Sequence, residues 1–174
     1  MALAVLWYLT TLPFTNPVPW RGERASSDAL SRHVHRLALD LPPRGDDPQA
    51  LAASAAYIFD EFRRYGDPQY QEFEVRGATY KNVLLRFENG GAKKVVVGAH
   101  YDAYAGLPGA DDNASGSSML LEIARSLRED GAKPKRSILF LWFSAEEAGL
   151  LGSKWYADHP LHPIEDTIAM VNLD

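Results

Sequence analysis

The sequence predicts an α/β fold, three layers deep, with helices on both sides of a mixed, mostly parallel central sheet. Three observations lead there. "KKVVVGAH", "RSILFLWFS" and "DTIAMVNLD" are short, nearly continuous apolar runs, as expected for strands covered on both faces. Between them lie two helical stretches, "ASGSSMLLEIARSLRED" and "GLLGSKWYADH". The resulting β-α-β-α-β order favours parallel strands joined by helical crossovers.

The elements before this core are read from their local signals. "SSDALSRHVHRLA" places Ser and Asp ahead of Leu30, Val34 and Leu37, a capped amphipathic helix with its apolar face at i, i+4 and i+7. His33 and His35 lie two apart, point to different sides of that helix and cannot share a metal. After the "LPPRGDDP" break, "PQALAASAAYIFDEFRRYG" starts with Pro48 at a first-turn position and ends at Gly66, a second capped helix. "YQEFEVRGATYKNVLLRFENG" alternates apolar and polar residues around Gly77 and predicts a hairpin. In the later helices, Trp155 and Tyr156 are expected to pack rather than to meet a ligand.

Composition bounds the functions. The 174 residues are 46% hydrophobic and 24% charged, enough for one domain with a real core. With a formal charge of −5 and no basic stripe beyond "KPKR" at 133–136, nucleic acid is not an expected partner. There is no cysteine, so any metal must be held by His, Asp and Glu. Residues 1–24 form an apolar N-terminal segment, "MALAVLWYLTTLPF", and a proline-rich linker. The segment lacks a basic n-region and is shorter than the ~20 residues that span a bilayer. A targeting role ranks ahead of a structural one, which favours an extracytoplasmic location (secreted, periplasmic or membrane-anchored) and membrane association through this segment.

Chemistry gathers at the strand ends, where ligands sit in open α/β sheets. The first buried strand runs into His100 and Asp102, the second into Glu146 and Glu147, the third into Asp174, and "GADDN" adds Asp111 and Asp112 before a helix that starts near Ala114. Asp111 alone is read as a helix cap. As a set, however, so many carboxylates on one rim repel one another unless a cation sits among them. Imidazole with carboxylates and no thiolate suits zinc or another transition metal better than calcium or magnesium. Gly106 and Gly109 flank Pro108 in a loop that must fold back to bring Asp112 to the rim, and Gly116 lets the next helix pack close to a strand.

"GAHYDAYAGLPGADDNASG", "SAEEAGLLGS" and "VNLD", in this order and spacing, resemble the zinc-dependent aminopeptidases of metallopeptidase clan MH. The resemblance covers residues 93–174 most strongly, and makes residues 25–174 the N-terminal part of a metallopeptidase catalytic domain. It implies two zinc ions: His100 and Asp174 on the first, Asp112 bridging both, and Glu147 on the second. It further implies Glu146 as the general base and Asp102 as the acid that hydrogen-bonds the ligand histidine, often with a cis peptide to the next residue. The expected substrate is a peptide cut at its N-terminal residue.

The same resemblance implies one more ligand, a histidine downstream of Asp174, and the sequence ends first. Truncation is therefore the expectation, with weak zinc binding at one site and little peptidase activity. His159 and His162, beside prolines in "DHPLHP", are read as surface-turn residues. Glutaminyl cyclases with a single zinc, carboxypeptidases or dipeptidases of the clan, and a binding module without metals are the competing readings.

Overall fold

The computed structural model describes residues 25–45, 47–89 and 91–174; the apolar segment and linker expected over 1–24 lie outside the described residues. Helix α1 (Ser27–His35) begins at Ser26, whose hydroxyl accepts the Ala29 N–H at 3.2 Å, and runs on into one π-helical turn over Arg36–Asp40. Helix α2 (Pro48–Phe62) is capped by Asp47, which accepts the Gln49 N–H at 3.0 Å, with Pro48 in the first turn where its missing N–H costs nothing.

Strands β1 (Gln69–Val75) and β2 (Ala78–Phe87) form the predicted hairpin, joined by a two-residue turn at Arg76 and Gly77. Strand β3 (Lys94–His100), helix α3 (Gly116–Glu129), strand β4 (Ser137–Phe143), helix α4 (Leu151–Asp158) and strand β5 (Thr167–Asn172) complete the chain in the expected order. The sheet order is β1-β2-β4-β3-β5. β3 is parallel to β4 and β5, while β2 is antiparallel to β1 and β4, so the sheet is mixed.

Alternation along β4 divides the core into two layers. Phe140 and Trp142 join Leu37, Leu51, Ile58, Phe62 and Leu120 beneath α1, α2 and α3, while Leu139, Leu141 and Phe143 join Leu84, Val96 and Tyr156 on the α4 side. Because β4 is central and covered on both sides, the run "SILFLWF" has no polar alternation to show.

β5 departs from the expectation of a strand covered on both faces. Ile168, Met170 and Val171 are each about half exposed. β5 lies at the sheet edge and pairs with β3 alone among the described residues, so its apolar composition is not matched by burial. The carboxyl ends of β3, β4 and β5 nonetheless share one rim.

Candidate metal centre

His100 is the last residue of β3, its side chain only 2% exposed. Its carbonyl accepts the Ser117 hydroxyl at 2.9 Å, which ties the strand end to the first turn of α3. β5 stays in register past Asn172, where the Leu173 N–H donates to the Gly98 carbonyl at 2.8 Å, and this sets Asp174 beside the imidazole. His100 Nε2 lies 3.0 Å from Asp112 Oδ1 and 3.1 Å from Asp174 Oδ1. The two aspartates face solvent at 68% and 60% side-chain exposure, so the group is a buried imidazole at the floor of an open acidic rim.

Asp112 arrives on the loop that leaves β3. That loop is clamped from beneath by Arg44, 1% exposed, which donates to the carbonyls of Tyr101 (2.8 Å), Pro108 (3.0 Å), Gly109 (2.7 Å) and Leu37. Gly109 turns the loop at φ +53°, and a Cβ there would meet the Asp112 carbonyl, Ala103 and, at 2.9 Å, Arg44 Nη2. Asn113 then bridges the loop to β5: its Nδ2 donates to the Leu173 carbonyl at 2.7 Å, while its Oδ1 accepts the Gly116 N–H at 2.9 Å. Gly116 has no room for a Cβ, which would stand 2.8 Å from that same Leu173 carbonyl. The cis peptide falls between Asp112 and Asn113, and not after Asp102 as the resemblance implied.

Asp102, 3% exposed, sits behind the histidine with Oδ1 3.4 Å from Nδ1, and its Oδ2 accepts the Glu147 N–H at 3.0 Å. A carboxylate in that position favours a proton on Nδ1, so the Nε2 lone pair would be available to a cation held with Asp112 and Asp174; without one, Nε2 donates to Asp174 Oδ1 at 3.1 Å. Burial lowers the His100 pKa, but the carboxylates of Asp102, Glu146 and Asp112 outweigh it and raise the group to about 9. Burial raises Glu146, with Asp102, Asp174 and Asp112 adding to it against the pull of His100. Glu147 is raised by burial and then by Asp112 and Glu146.

The residues fit a metal ion. His100, Asp112 and Asp174 each offer one donor atom, all within 4.8 Å of one another. Zinc with nitrogen and oxygen ligands at ~2.0–2.2 Å in a tetrahedral arrangement would space them ~3.3–3.6 Å apart, a few tenths of an ångström beyond the two separations from His100 Nε2. Glu147 does not fall in this group, but its Oε1 is buried without a hydrogen-bond partner. Buried carboxylate oxygens without partners call for a proton or a cation.

The remaining residues singled out in the sequence lie elsewhere. Asp111 is exposed and outside the group. His33 accepts or donates a 2.5 Å hydrogen bond with the Tyr57 hydroxyl through Nδ1, far from the rim. His162 Nδ1 is 3.1 Å from Arg86, and His159 stacks on Trp155 with ring centroids 4.0 Å apart; neither joins the centre. Trp155 also stacks on Phe73, and Tyr156 is buried, as expected of packing residues. Arg44 and Asn113 were missed as positioning residues. Arg44 sits in a proline-rich break with no periodicity to mark it, and Asn113 carried a signal only as the neighbour of Asp112.

The model described as peptidase family M28 matches residues 82–174. The chain belongs to peptidase family M28. This agrees with the zinc aminopeptidase resemblance. Among curated relatives, the chain is 31% identical to Escherichia coli (strain K12) YfbL over 173 residues, 91% of this chain and 53% of that protein. It is 40% identical to leucine aminopeptidase 1 of Arthroderma gypseum over 116 residues, 60% of this chain and 29% of that protein. The chain thus spans about half, or less, of the relatives it matches. Among solved structures, it superposes on BSAP, a zinc aminopeptidase from Bacillus subtilis, with TM-score 0.81 at 18% identity, covering 88% of this chain and 70% of that one. It superposes on Porphyromonas gingivalis glutaminyl cyclase with TM-score 0.74 at 23% identity, covering 86% and 59%. At such identities the likeness is one of fold.

Proposed function

We propose that residues 25–174 form the N-terminal part of a zinc aminopeptidase domain that hydrolyses the first peptide bond of a peptide substrate. The observation that carries this reading is the convergence of His100, Asp112 and Asp174, from separate stretches of the chain, on one set of donor atoms within 4.8 Å. These three residues would hold one zinc; Glu147, with its unpartnered Oε1, would begin a second site beside Asp112. When bound, zinc supplies Lewis acidity that polarises the scissile carbonyl and lowers the pKa of water toward ~7.

The chain's own residues supply the proton transfers and the positioning. Glu146, partly buried, has a pKa raised by its surroundings, which brings the carboxylate nearer to working pH, where a general base is most effective. Glu146 takes the proton from the attacking water and returns it to the leaving amine. Asp102 holds the tautomer and orientation of His100 and, through the Glu147 N–H, the path of the loop that carries Glu146.

Calorimetric titration of the chain with zinc tests the centre: binding is expected, and a His100→Ala variant that titrates identically would refute it. Turnover of an aminoacyl chromogenic substrate tests the reaction: it is expected to be slight in the 174-residue chain, to rise when a downstream segment with a further histidine ligand is supplied, and to vanish in Glu146→Gln. A second reading is a single-zinc glutaminyl cyclase, favoured by the one three-residue ligand group and by the cyclase superposition. Peptides with N-terminal glutamine separate the two by product: pyroglutamyl peptide and ammonia, or free glutamine.

A further inference from the structure

The first residue of the β1–β2 turn is misplaced by ordinary turn chemistry. Both central residues have positive φ, Arg76 at 53° and Gly77 at 80°, in a two-residue connection between the paired Val75 and Ala78. Such turns favour Asn, Asp or Gly at both positions, because a Cβ crowds the backbone in the left-handed region. An arginine there is strained. Strain at a loop tip that persists without local reward is a pointer to function.

The fold places this tip beside the loop that follows β4. β2 runs antiparallel to β4, so the start of β2 lies beside the end of β4 and the loop that carries Glu146 and Glu147. Between them is a cleft of about 440 Å³, lined by Val75, Arg76 and Tyr80 on one side and Glu147, Ala148 and Leu151 on the other. That size is in the range of small-ligand sites, ~300–1,000 Å³. The Arg76 guanidinium makes no hydrogen bond or ion pair among the described residues. The cleft is therefore bipolar, with Glu147, the carboxylate proposed to begin a second metal site, on one side and an unengaged, exposed cation on the other, and with Val75, Tyr80 and Leu151 also lining it.

We infer that this cleft receives the substrate beyond the scissile bond and that Arg76 binds a carboxylate there. The inference rests on the peptide-hydrolase reading of the centre. The carboxylate has two sources, the C-terminus of a di- or tripeptide and an Asp or Glu side chain just after the scissile bond. Guanidinium pairs with either in the same bidentate geometry. Val75, Tyr80 and Leu151 suit the aliphatic part of such a ligand. The chemistry of hydrolysis is unchanged; Arg76 selects what is presented to it.

The test uses the zinc-loaded chain in a Glu146→Gln background, so that peptides bind without being cut, and calorimetry as the readout. Three ligands are compared: leucyl-glycine, with a terminal carboxylate; leucyl-glutamic acid α-amide, with a side-chain carboxylate; and leucyl-glycinamide, with neither. At least one carboxylate ligand is expected to bind about three- to tenfold tighter than leucyl-glycinamide at low salt, with the advantage shrinking as salt rises. Which one does so names the source. Arg76→Asn should abolish the advantage, and Arg76→Lys should keep part of it. Since Asn accepts the left-handed turn, Arg76→Asn should also raise the melting temperature by about 1–3 °C, separating lost recognition from lost folding. Equal affinities for all three ligands, or an advantage retained in Arg76→Asn, overturn the inference and leave the hydrolase reading standing. Binding of zinc with no binding of any peptide overturns both.

Discussion

Replacing Arg44 by Met tests whether the candidate metal centre is built from below. The substitution keeps a long, unbranched side chain and removes all the donors that reach the carbonyls of Leu37, Tyr101, Pro108 and Gly109. The bonds to Leu37 and Tyr101 are buried, so their acceptors are left without a partner, at about 1–3 kcal/mol each. Those to Pro108 and Gly109 are partly open to water, which can replace the guanidinium at a net loss of ~0.5–1 kcal/mol each. The sum is ~3–8 kcal/mol, a large share of the ~5–15 kcal/mol that holds a domain together. With a urea dependence of ~2 kcal/mol per M, the unfolding midpoint should fall by about 1.5–4 M. Where the variant remains folded, its zinc affinity should fall at least tenfold, because Asp112 rides on the loop that Arg44 anchors. A midpoint within about 0.5 M of the parent, or unchanged zinc affinity, would refute the reasoning.

Three further outcomes follow from the same structure. Asp102→Asn should weaken zinc binding by about 10–100-fold with little loss of fold, since it frees the tautomer of His100 without removing a ligand; a calorimetric titration reads this directly. Gly109→Ala should destabilise the chain by about 1–3 kcal/mol in denaturant titration, as it combines a left-handed backbone with contact on Asp112, Ala103 and Arg44. His33 gives a pH effect away from the centre. Burial, the largest influence, holds its folded pKa below the ordinary 6.5, against Glu61, so the unfolded chain takes up this proton first on acidification. Stability from this group is full above pH ~6.5 and falls as pH drops toward the folded value, with a slope of at most ~1.4 kcal/mol per pH unit. Unfolding curves of His33→Gln between pH 5 and 7 should lack that component.

Much of this was legible in the chain itself, for reasons that lie in short-range chemistry. "SILFLWF" announces a strand buried on both faces because every position must be apolar when both faces are covered, and Phe140 and Leu141 do enter opposite layers. Pro48 opens α2 because a missing N–H is a local property, but the helix closes at Phe62, ahead of the expected Gly66, which does not take a left-handed φ. The crossovers force β3, β4 and β5 to deliver His100, Glu146 and Asp174 to one rim, so the candidate site could be read from strand ends alone.

What the sequence could not decide depends on distances between segments far apart in the chain. "DTIAMVN" reads as a buried strand, yet its place at the edge of the sheet leaves it half exposed, since apolarity records what a strand is suited to and position records what covers it. That Arg44 reaches loop carbonyls more than 60 residues away, that Asn113 ties Asp112 to Leu173, and that Arg76 shares a cleft with Glu147 are likewise invisible in local pattern. The sequence by itself determined the elements and the ligand types, because these follow from period, capping and donor chemistry. Only the tertiary structure decided that His100, Asp112 and Asp174 meet within 4.8 Å while Glu147 stands apart, because ångström-scale convergence is set by packing and by long-range hydrogen bonds.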